Sequence, residues 1–210
     1  RFVTRSLTNQ QGVDGYAQFK DIDVQHNGIE FEGSWFPTSS TKVRGMLSIG
    51  DWRYSKDFTA ALFDDNQNQV GTGTLYTKGA KVGDAAQFVA YLGLDQKLGS
   101  NLSFDLDYRF VDGLYADYSI TDSAFTEPGN AGALELPSYG LVDFGATVKL
   151  GQRLSFRANI NNLFDTLYIA ESNSNIHATA DSTTWNGIDT RNYVWFGFGR
   201  TWNASLKYRF

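Results

Sequence analysis

The sequence predicts an all-β fold, a transmembrane antiparallel up-and-down β-barrel, on two observations. Apolar residues recur at every second position over unusually long segments, and short connections alternate with long ones between those segments. Alternation places one set of side chains on each face of a sheet. An outer-membrane barrel joins its strands by tight turns on one side of the membrane and by long loops on the other.

Alternation is clearest in residues 102–110, 142–150, 154–161 and 202–210. In the first of these segments, the apolar positions are Leu102, Phe104, Leu106, Tyr108 and Phe110. Soluble strands average about 5–6 residues. A strand that crosses a bilayer at a tilt of about 40° needs about 9–11 residues. The length of the alternating segments therefore favours strands that span a membrane over those of a soluble sandwich.

The connections support the same topology. Short turns are expected at 37–41, 99–101 and 151–152, and long polar loops at 56–85, 119–138 and 172–192. The pattern indicates about eight strands, the first of them cut short at residues 1–6. Following the alternation, the last strand runs toward the short-turn side, so the C-terminus is expected in the periplasm. Aromatic residues near the strand ends, among them Trp35, Tyr115, Tyr118 and Tyr168, suggest two interfacial belts.

The composition limits the classes of function that are expected. Lys and Arg total 18 against 23 acidic residues, for a formal net charge of −5, and no basic cluster occurs, so nucleic acid is not an expected partner. The chain has no Cys, which excludes disulfides and thiolate metal sites. The two histidines, His26 and His177, have no ligand-spaced partners, so no metal site and no cofactor are expected.

The C-terminal segment carries a sequence pattern that is common to outer-membrane barrels in general. Residues 202–210 end in Phe and have an apolar or aromatic residue at every second position. This resembles the signal by which bacterial outer-membrane proteins are recognised for insertion, and its residues here are Trp202, Leu206, Tyr208 and Phe210. The resemblance implies outer-membrane lipid and the barrel-assembly machinery as partners.

A second segment points to one family. Asn162-Leu-Phe-Asp165 followed by Tyr168, one strand before the terminus, is similar to the "NLFD…Y" element of TonB-dependent receptors. Residues 28–32 resemble the "G-[VI]-E" strand of that family. Residues 79–87 resemble a loop of the family, with Ala86 where Pro is common. Residues 193–201 resemble the start of the final strand in receptors of the Bacteroidetes type.

The resemblance implies an architecture and an activity. Such receptors have a barrel of about 22 strands and an N-terminal plug, so residues 1–210 are expected to be the C-terminal part of the barrel, with the plug absent from this chain. The implied function is TonB-dependent uptake of a scarce nutrient: a ferric siderophore or other metal chelate, haem, cobalamin, oligosaccharide or peptide. The implied partners are the TonB–ExbB–ExbD complex, acting through the plug, and, for Bacteroidetes-type receptors, a surface lipoprotein.

Two groups of polar residues are candidate functional sites. A charge facing lipid costs about 2–4 kcal/mol at the bilayer midplane, so the polar alternates are expected to face the lumen: Asp105, Asp107, Arg109, Arg157, Asn159 and Asn161. They either contact the plug or a substrate, or pair with each other across strands. In the last long loop, the candidate ligand contacts are Trp185, Asn186, Asp189, Arg191 and Tyr193, because external ligands arrive there first and loops carry function.

Two other functions remain alternatives. An autonomous eight-stranded barrel with a structural or adhesive role has a suitable size. An outer-membrane enzyme such as a lipase or protease would need a nucleophile and a positioned base, and the sequence offers no such pair. No catalytic residues are therefore predicted.

Overall fold

The computed structural model describes residues 3–8, 14–20, 22–118 and 125–210, and their regular elements are β-strands. Within these ranges, no helix is long and apolar enough to cross a membrane. The strands, in chain order, are β1 Val3–Thr8, β2 Asp14–Phe19, β3 Val24–Thr38, β4 Thr41–Tyr54, β5 Phe58–Asp64, β6 Gln69–Leu75, β7 Phe88–Leu98, β8 Leu102–Asp112, β9 Tyr139–Lys149, β10 Leu154–Asn161, β11 Ile169–Ser172, β12 Thr184–Trp185, β13 Ile188–Asp189, β14 Val194–Phe196 and β15 Thr201–Tyr208.

Seven strands form one antiparallel sheet in the order β3-β4-β7-β8-β9-β10-β15. Neighbours in this main sheet follow one another along the chain, as the up-and-down prediction requires. The three predicted short turns join β3 to β4, β7 to β8 and β9 to β10, so they lie at the same end of the sheet. Gly151 adopts a φ of 89° in the last of these turns, a conformation that glycine reaches without a Cβ clash.

The register of the main sheet separates apolar from polar side chains. Leu106 pairs with Leu94 on one side and with Phe144 on the other, and Phe156 pairs with Val148 and Leu206. The apolar face built in this way is open to the surroundings: Leu92 is 57% exposed and Leu206 66% exposed. A soluble protein rarely exposes so continuous an apolar surface. The arrangement is that of a membrane barrel, with its apolar side outward.

One predicted loop, 56–85, contains regular structure instead. Its residues form the hairpin β5–β6, which joins β1 and β2 in a second sheet of order β1-β2-β5-β6. The hairpin turn is closed by the Asn68 backbone N–H, which donates to Asp64 Oδ1 at 2.8 Å. Sequence alternation is weak here because many of the residues are Gly, Ala and Thr. Pairing with β2, which lies far away in the chain, decides the structure.

Most of the buried apolar residues lie at the long-loop end and form two clusters. The first joins both sheets and consists of Ala17, Phe19, Tyr54, Phe58, Ala60, Leu75, Tyr118 and Phe125. The second joins the segments that flank β8, β9 and β10 and consists of Leu114, Ala116, Leu134, Leu136, Ile169 and Ile188. Tyr118, expected in an interfacial belt, is therefore a core residue. It makes an edge-to-face contact with Tyr54.

The last predicted loop, 172–192, is also structured. Strands β11 and β14 pair at its base, and β12 and β13 form a small hairpin at its tip. Asn186 and Gly187 have φ angles of 45° and 85°, and Asn-Gly is the sequence that favours such a two-residue hairpin turn. The final membrane strand starts only at Thr201, after an interruption that follows β14.

Candidate functional site

The polar face of the main sheet holds an ion pair that spans three strands. Arg157 on β10 donates to both carboxylate oxygens of Asp105 on β8, at 2.8 and 3.0 Å. The strand between them, β9, carries Gly145 at the crossing point. A Cβ there would lie 2.3 Å from Asp105 Oδ2 and 2.5 Å from Arg157 Nη2. The missing side chain is what lets the two groups meet.

A second ion pair repeats the arrangement on the other side of β8. Arg44 on β4 donates to Asp95 Oδ2 on β7 and to Asp107 Oδ1 on β8, both at 2.8 Å. Gly93 on β7 leaves room for this contact, since a Cβ there would lie 2.9 Å from Arg44 Cζ. The Tyr91 hydroxyl donates to Asp107 Oδ1 at 2.6 Å.

The register explains why these cations are needed. Asp95 lies directly opposite Asp105, and Asp107 directly opposite Asp143. Like charges in directly opposed positions destabilise a sheet. Arg44 and Arg157 supply the compensating charges from strands farther away. Prediction from the sequence identified Asp105, Asp107 and Arg157 but missed Arg44, Tyr91 and Asp95. These three also lie between the apolar positions of their strands, so the alternation could have placed them on the polar face.

The other predicted residues of the polar face divide into two kinds. The Asn159 amide donates to Asn203 Oδ1 at 2.8 Å, and the Asn161 amide to Thr201 Oγ1 at 3.2 Å. Both contacts tie β10 to the last strand. Arg109 is exposed, and in the described part of the chain no carboxylate lies within the 4.0 Å of an ion pair from its guanidinium. Five of the six predicted residues are thus paired with other side chains of the sheet.

Arg109 lines a cleft of about 440 Å³ at the long-loop end of the polar face. The other lining residues are Leu141, Asp143, Asn161, Asn162, Tyr168, Phe198, Gly199 and Thr201. The Tyr168 ring stacks on Tyr139 with 4.2 Å between ring centroids. A volume of a few hundred Å³ suits a small molecule or one group of a larger ligand.

The "NLFD…Y" element forms one wall of the cleft. Asn162 and Asp165 have φ angles of 51° and 56°, which Asn and Asp tolerate better than most residues. The Asn162 amide donates to the Thr166 and Phe198 carbonyl oxygens at 2.9 and 3.2 Å. Asp165 accepts from the Arg200 backbone N–H at 2.7 Å. The element therefore fastens the end of β10 to the chain just before β15.

Tyr168 completes this junction. Its backbone carbonyl accepts from the Gly197 N–H at 3.0 Å. A Cβ on Gly197 would overlap the Tyr168 ring, with a nearest approach of 1.9 Å. Tyr168, expected at an interfacial belt, therefore packs between Tyr139 and Gly197.

The five residues of the last loop that were predicted to contact a ligand lie in different environments. Trp185 packs edge-to-face on Phe196, with ring centroids 5.3 Å apart, and Asn186 forms the hairpin turn. Asp189 is buried, whereas Tyr193 is 75% exposed. Arg191 is exposed but clamps Asp189, with Nε and Nη2 at 2.9 and 2.7 Å from its carboxylate oxygens. The structure does not gather the five side chains into one pocket, and their role in ligand binding stays a prediction.

Electrostatics hold the tip of this loop together. The Arg191 guanidinium, followed by the Ser182 hydroxyl and the Arg191 backbone N–H, holds the pKa of the Asp189 carboxyl well below its usual range. The reciprocal contact with Asp189 raises the pKa of Arg191. Asp189 is thus a buried anion that accepts from four donor atoms of Ser182 and Arg191, the condition under which buried charge is tolerated.

Buried polar contacts join the last loop to the loop between β8 and β9. The Asn175 side chain accepts from the Leu134 N–H at 2.7 Å and donates to the Asp117 carbonyl at 2.8 Å. His177 Nε2 lies 3.0 Å from the Gly132 carbonyl oxygen. Because the second apolar cluster is shared as well, the described parts of the two loops pack together. The sequence offered no signal for this coupling, since the partners lie more than 40 residues apart.

The four residues of the expected insertion signal lie along one exposed row. Leu206 pairs with Phe156 and Tyr208 with Leu154, and Trp202 pairs with Ile160. Trp202 is 78% exposed, and the Phe210 side chain is fully exposed beyond the end of β15. The row continues the apolar face of the main sheet.

Comparison with known proteins identifies the family. The family model "TonB dependent receptor-like, beta-barrel" matches residues 2–163. The ferrioxamine B receptor of Salmonella typhimurium is 26% identical over 177 residues, which cover 81% of this chain and 21% of that protein. The chain therefore spans about a fifth of the length of this curated relative.

Solved structures share the fold. The siderophore receptor PiuA from Acinetobacter baumannii superposes with a TM-score of 0.61 at 14% identity, over 97% of this chain and 27% of that one. The copper transporter OprC superposes with a TM-score of 0.56 at 15% identity, over 94% and 28%. With the alternating strands, the apolar outer face and the family match together, the chain belongs to the TonB-dependent receptors and forms part of their β-barrel.

Proposed function

We propose that this chain is the C-terminal part of the barrel of an outer-membrane receptor that takes up a scarce metal chelate of the siderophore type. The observation that carries the proposal is the main sheet, which pairs an exposed apolar face with a polar, ion-paired face and matches the receptor family. The names of the relatives, a ferrioxamine B receptor, a siderophore receptor and a copper transporter, favour a metal or a metal chelate as cargo. Uptake proceeds by binding and conformational change, without covalent chemistry.

The polar face is assigned to the lumen. Turning Arg44, Arg157 and their carboxylate partners toward lipid would cost several kcal/mol in total, at about 2–4 kcal/mol for each cation near the midplane. Turning Leu206 and Phe156 outward buries them in hydrocarbon instead. In this orientation the three short turns and the C-terminus lie in the periplasm, and the packed loops lie outside the cell.

The proposed partners follow from the family. Energy comes from the TonB–ExbB–ExbD complex through a plug that other parts of the receptor supply. The barrel-assembly machinery inserts the barrel by recognising the row that ends in Phe210, and a surface lipoprotein covers the loops if the receptor is of the Bacteroidetes type. Asn186, Arg191 and Tyr193 are the exposed members of the predicted loop site and are its first candidates for ligand contact.

The autonomous eight-stranded barrel is less well supported. Strands β3 and β15 are the two edges of the main sheet and are not paired with each other. Unpaired edges in lipid leave backbone groups without hydrogen bonds, at several kcal/mol each. The relatives are several times longer than this chain, and strands from elsewhere in the receptor are expected to cover both edges.

Uptake in cells tests the proposal. Bacteria that carry the receptor gene are compared with a deletion strain and with a strain lacking TonB, using a panel of ⁵⁵Fe-labelled hydroxamate, catecholate and carboxylate chelates. Accumulation of at least one chelate that requires both the gene and TonB supports the function. Equal accumulation in all three strains for every chelate would refute a siderophore-type cargo. Labels placed at Leu206 and Phe156, compared with Lys207 and Arg157, test the orientation, since only the first two should sense hydrocarbon.

A further inference from the structure

We infer that the cleft around Arg109 binds an acidic group carried by an extracellular small molecule, with Arg109 as its anchor and aromatic side chains beside it. The inference rests on the proposed receptor function and deepens it, because it names the chemical class of the ligand. No contact described above requires Arg109 for the stability of the sheet.

Arg109 stands out because, among the residues that the structure describes, no carboxylate forms an ion pair with its guanidinium. Its cross-strand neighbours are Tyr91 on β7 and Leu141 on β9, both without a negative charge. The carboxylate nearest along β8, Asp107, is engaged by Arg44 and by the Tyr91 hydroxyl. A guanidinium presents fixed donors that match the two oxygens of a carboxylate or phosphate. An exposed guanidinium that no carboxylate of the described residues pairs with is therefore a suitable anion receptor.

The position of Arg109 favours a ligand that comes from outside. Arg109 lies toward the Asp112 end of β8, next to the long loops, whereas Asp105 lies nearer the turn that precedes Leu102. The ion pairs of Arg157 and Arg44 with the carboxylates of β8 thus occupy deeper positions on the same face. A molecule entering past the loops reaches Arg109 before it reaches them.

The rest of the cleft adds shape and direction. Tyr168 and Phe198 place aromatic surface beside Arg109, and Phe198 is 87% exposed. Asp143 lies on the same lining with one oxygen accepting the Asn162 backbone N–H at 2.8 Å. Its negative charge disfavours an acidic group at that end and directs it toward Arg109. A ring that carries an acidic group, as in an aromatic carboxylate or a phenolate chelator, fits this combination.

The test uses salicylate as the anionic probe and salicylamide as its uncharged counterpart of nearly the same shape. Both are titrated by calorimetry into the complete receptor, purified in detergent. Salicylate should bind at least tenfold more tightly than salicylamide. The substitution Arg109→Gln should abolish that preference, and Arg109→Lys should retain part of it. Lys149→Gln, which removes another exposed cation of the polar face at the short-turn end, should leave it unchanged.

Several outcomes would overturn the inference. Equal affinity of the two probes for the wild-type receptor would do so, as would undetectable salicylate binding. Equal loss in Arg109→Gln and Lys149→Gln would show that overall charge, and not this cleft, attracts the anion. Heat-resistant migration of each variant on gels establishes that the barrel is folded.

The inference and the proposed function can fail separately. If Arg109-dependent salicylate binding is found but no chelate enters cells in a TonB-dependent manner, the cleft stands and the cargo proposal falls. If uptake depends on TonB while the probes do not distinguish Arg109→Gln from the wild type, the receptor function stands and the anion site is wrong.

Discussion

Arg157 and Asp105 form a two-point ion pair although a complete strand, β9, lies between the strands that carry them. The contact is possible because β9 presents Gly145 beneath it. Asp105 also lies directly opposite Asp95, so Arg157 reduces a repulsion between two carboxylates. Arg44, Gly93 and Asp107 repeat this arrangement. The negative charges of the polar face are therefore neutralised largely by arginines of the same face.

Removal of Arg157 should destabilise the barrel because Asp105 would then lose its own cation and face Asp95, which, among the described residues, only Arg44 still neutralises. Both groups of the pair are partly exposed, at 40% and 21%, so solvent screening limits the expected loss to about 1–2 kcal/mol. The receptor carrying Arg157→Gln should therefore unfold at lower denaturant concentration. Adding Asp105→Asn should recover part of the loss, and Arg153→Gln, an exposed turn residue, should have no effect. Strictly additive losses in the double variant would mean that the pair is not coupled.

Gly145→Ala should break the same ion pair from the middle strand. The new methyl group would displace the side-chain ends of Asp105 and Arg157, so the expected loss is that of the partly exposed ion pair, up to about 1 kcal/mol. Gly33→Ala on β3 is the matched control, because a Cβ there meets nothing within 4 Å. Thermal unfolding of the purified receptor should separate the two variants. The explanation fails if both substitutions leave stability equal or raise it.

Asn175→Ala should uncouple the last loop from the loop between β8 and β9. The substitution leaves the Leu134 N–H and the Asp117 carbonyl without this partner, and a buried unpaired group costs about 1–3 kcal/mol. Hydrogen exchange should therefore speed up in residues 131–137 as well as in residues 172–178. Asn66→Ala, in the exposed turn between β5 and β6, should change neither. Faster exchange confined to 172–178 would show that the loops move independently.

The tip of the last loop should loosen in acid. The pKa of Asp189 is lowered by Arg191 and Ser182, so the stability it contributes is fully present above about pH 4, the ordinary Asp value. It is lost as the pH falls below that value toward the lowered folded-state pKa. A spin label on Ala180→Cys should stay immobile down to about pH 4 and become mobile below it. Asp189→Asn should be mobile already at neutral pH, and identical titrations of the two proteins would contradict this role.

Phe210→Ala should impair assembly into the outer membrane more than Arg209→Ala does. Phe210 extends the apolar row of Tyr208 and Leu206, and its ring contacts Tyr208 edge-to-face at 5.1 Å between centroids. Arg209 lies between these apolar positions and so belongs to the other side of the alternation. Immunoblots of outer-membrane fractions give the measurement. Equal membrane levels of the two variants would remove support for the insertion signal.

The sequence alone determined the strand order of the main sheet and the identity of its two faces, but not the second sheet, which contains β1 and the hairpin β5–β6. Side chains in a strand point alternately to the two faces of the sheet. The alternation along residues 102–110 and 154–161 is therefore sufficient to place Leu106 and Phe156 on one face and Asp105 and Arg157 on the other. Tight turns at Gly99 and Gly151 also left local signals. The family could be recognised from the sequence because the Asn162–Asp165 element requires unusual backbone angles, which restrict the residue types that fit there.

The tertiary structure decided the pairings, because they join residues far apart in the chain. Parity placed Asp105 and Arg157 on one face, but only the register of β8, β9 and β10 shows that they meet over Gly145. The loops were misjudged for the same reason: β5 and β6 need β2 as a partner, and Asn175 needs Leu134 and Asp117. Arg157 and Arg44 form ion pairs, whereas Arg109 has no carboxylate partner among the described residues. This distinction likewise depends on distances across strands, which no one-dimensional pattern records.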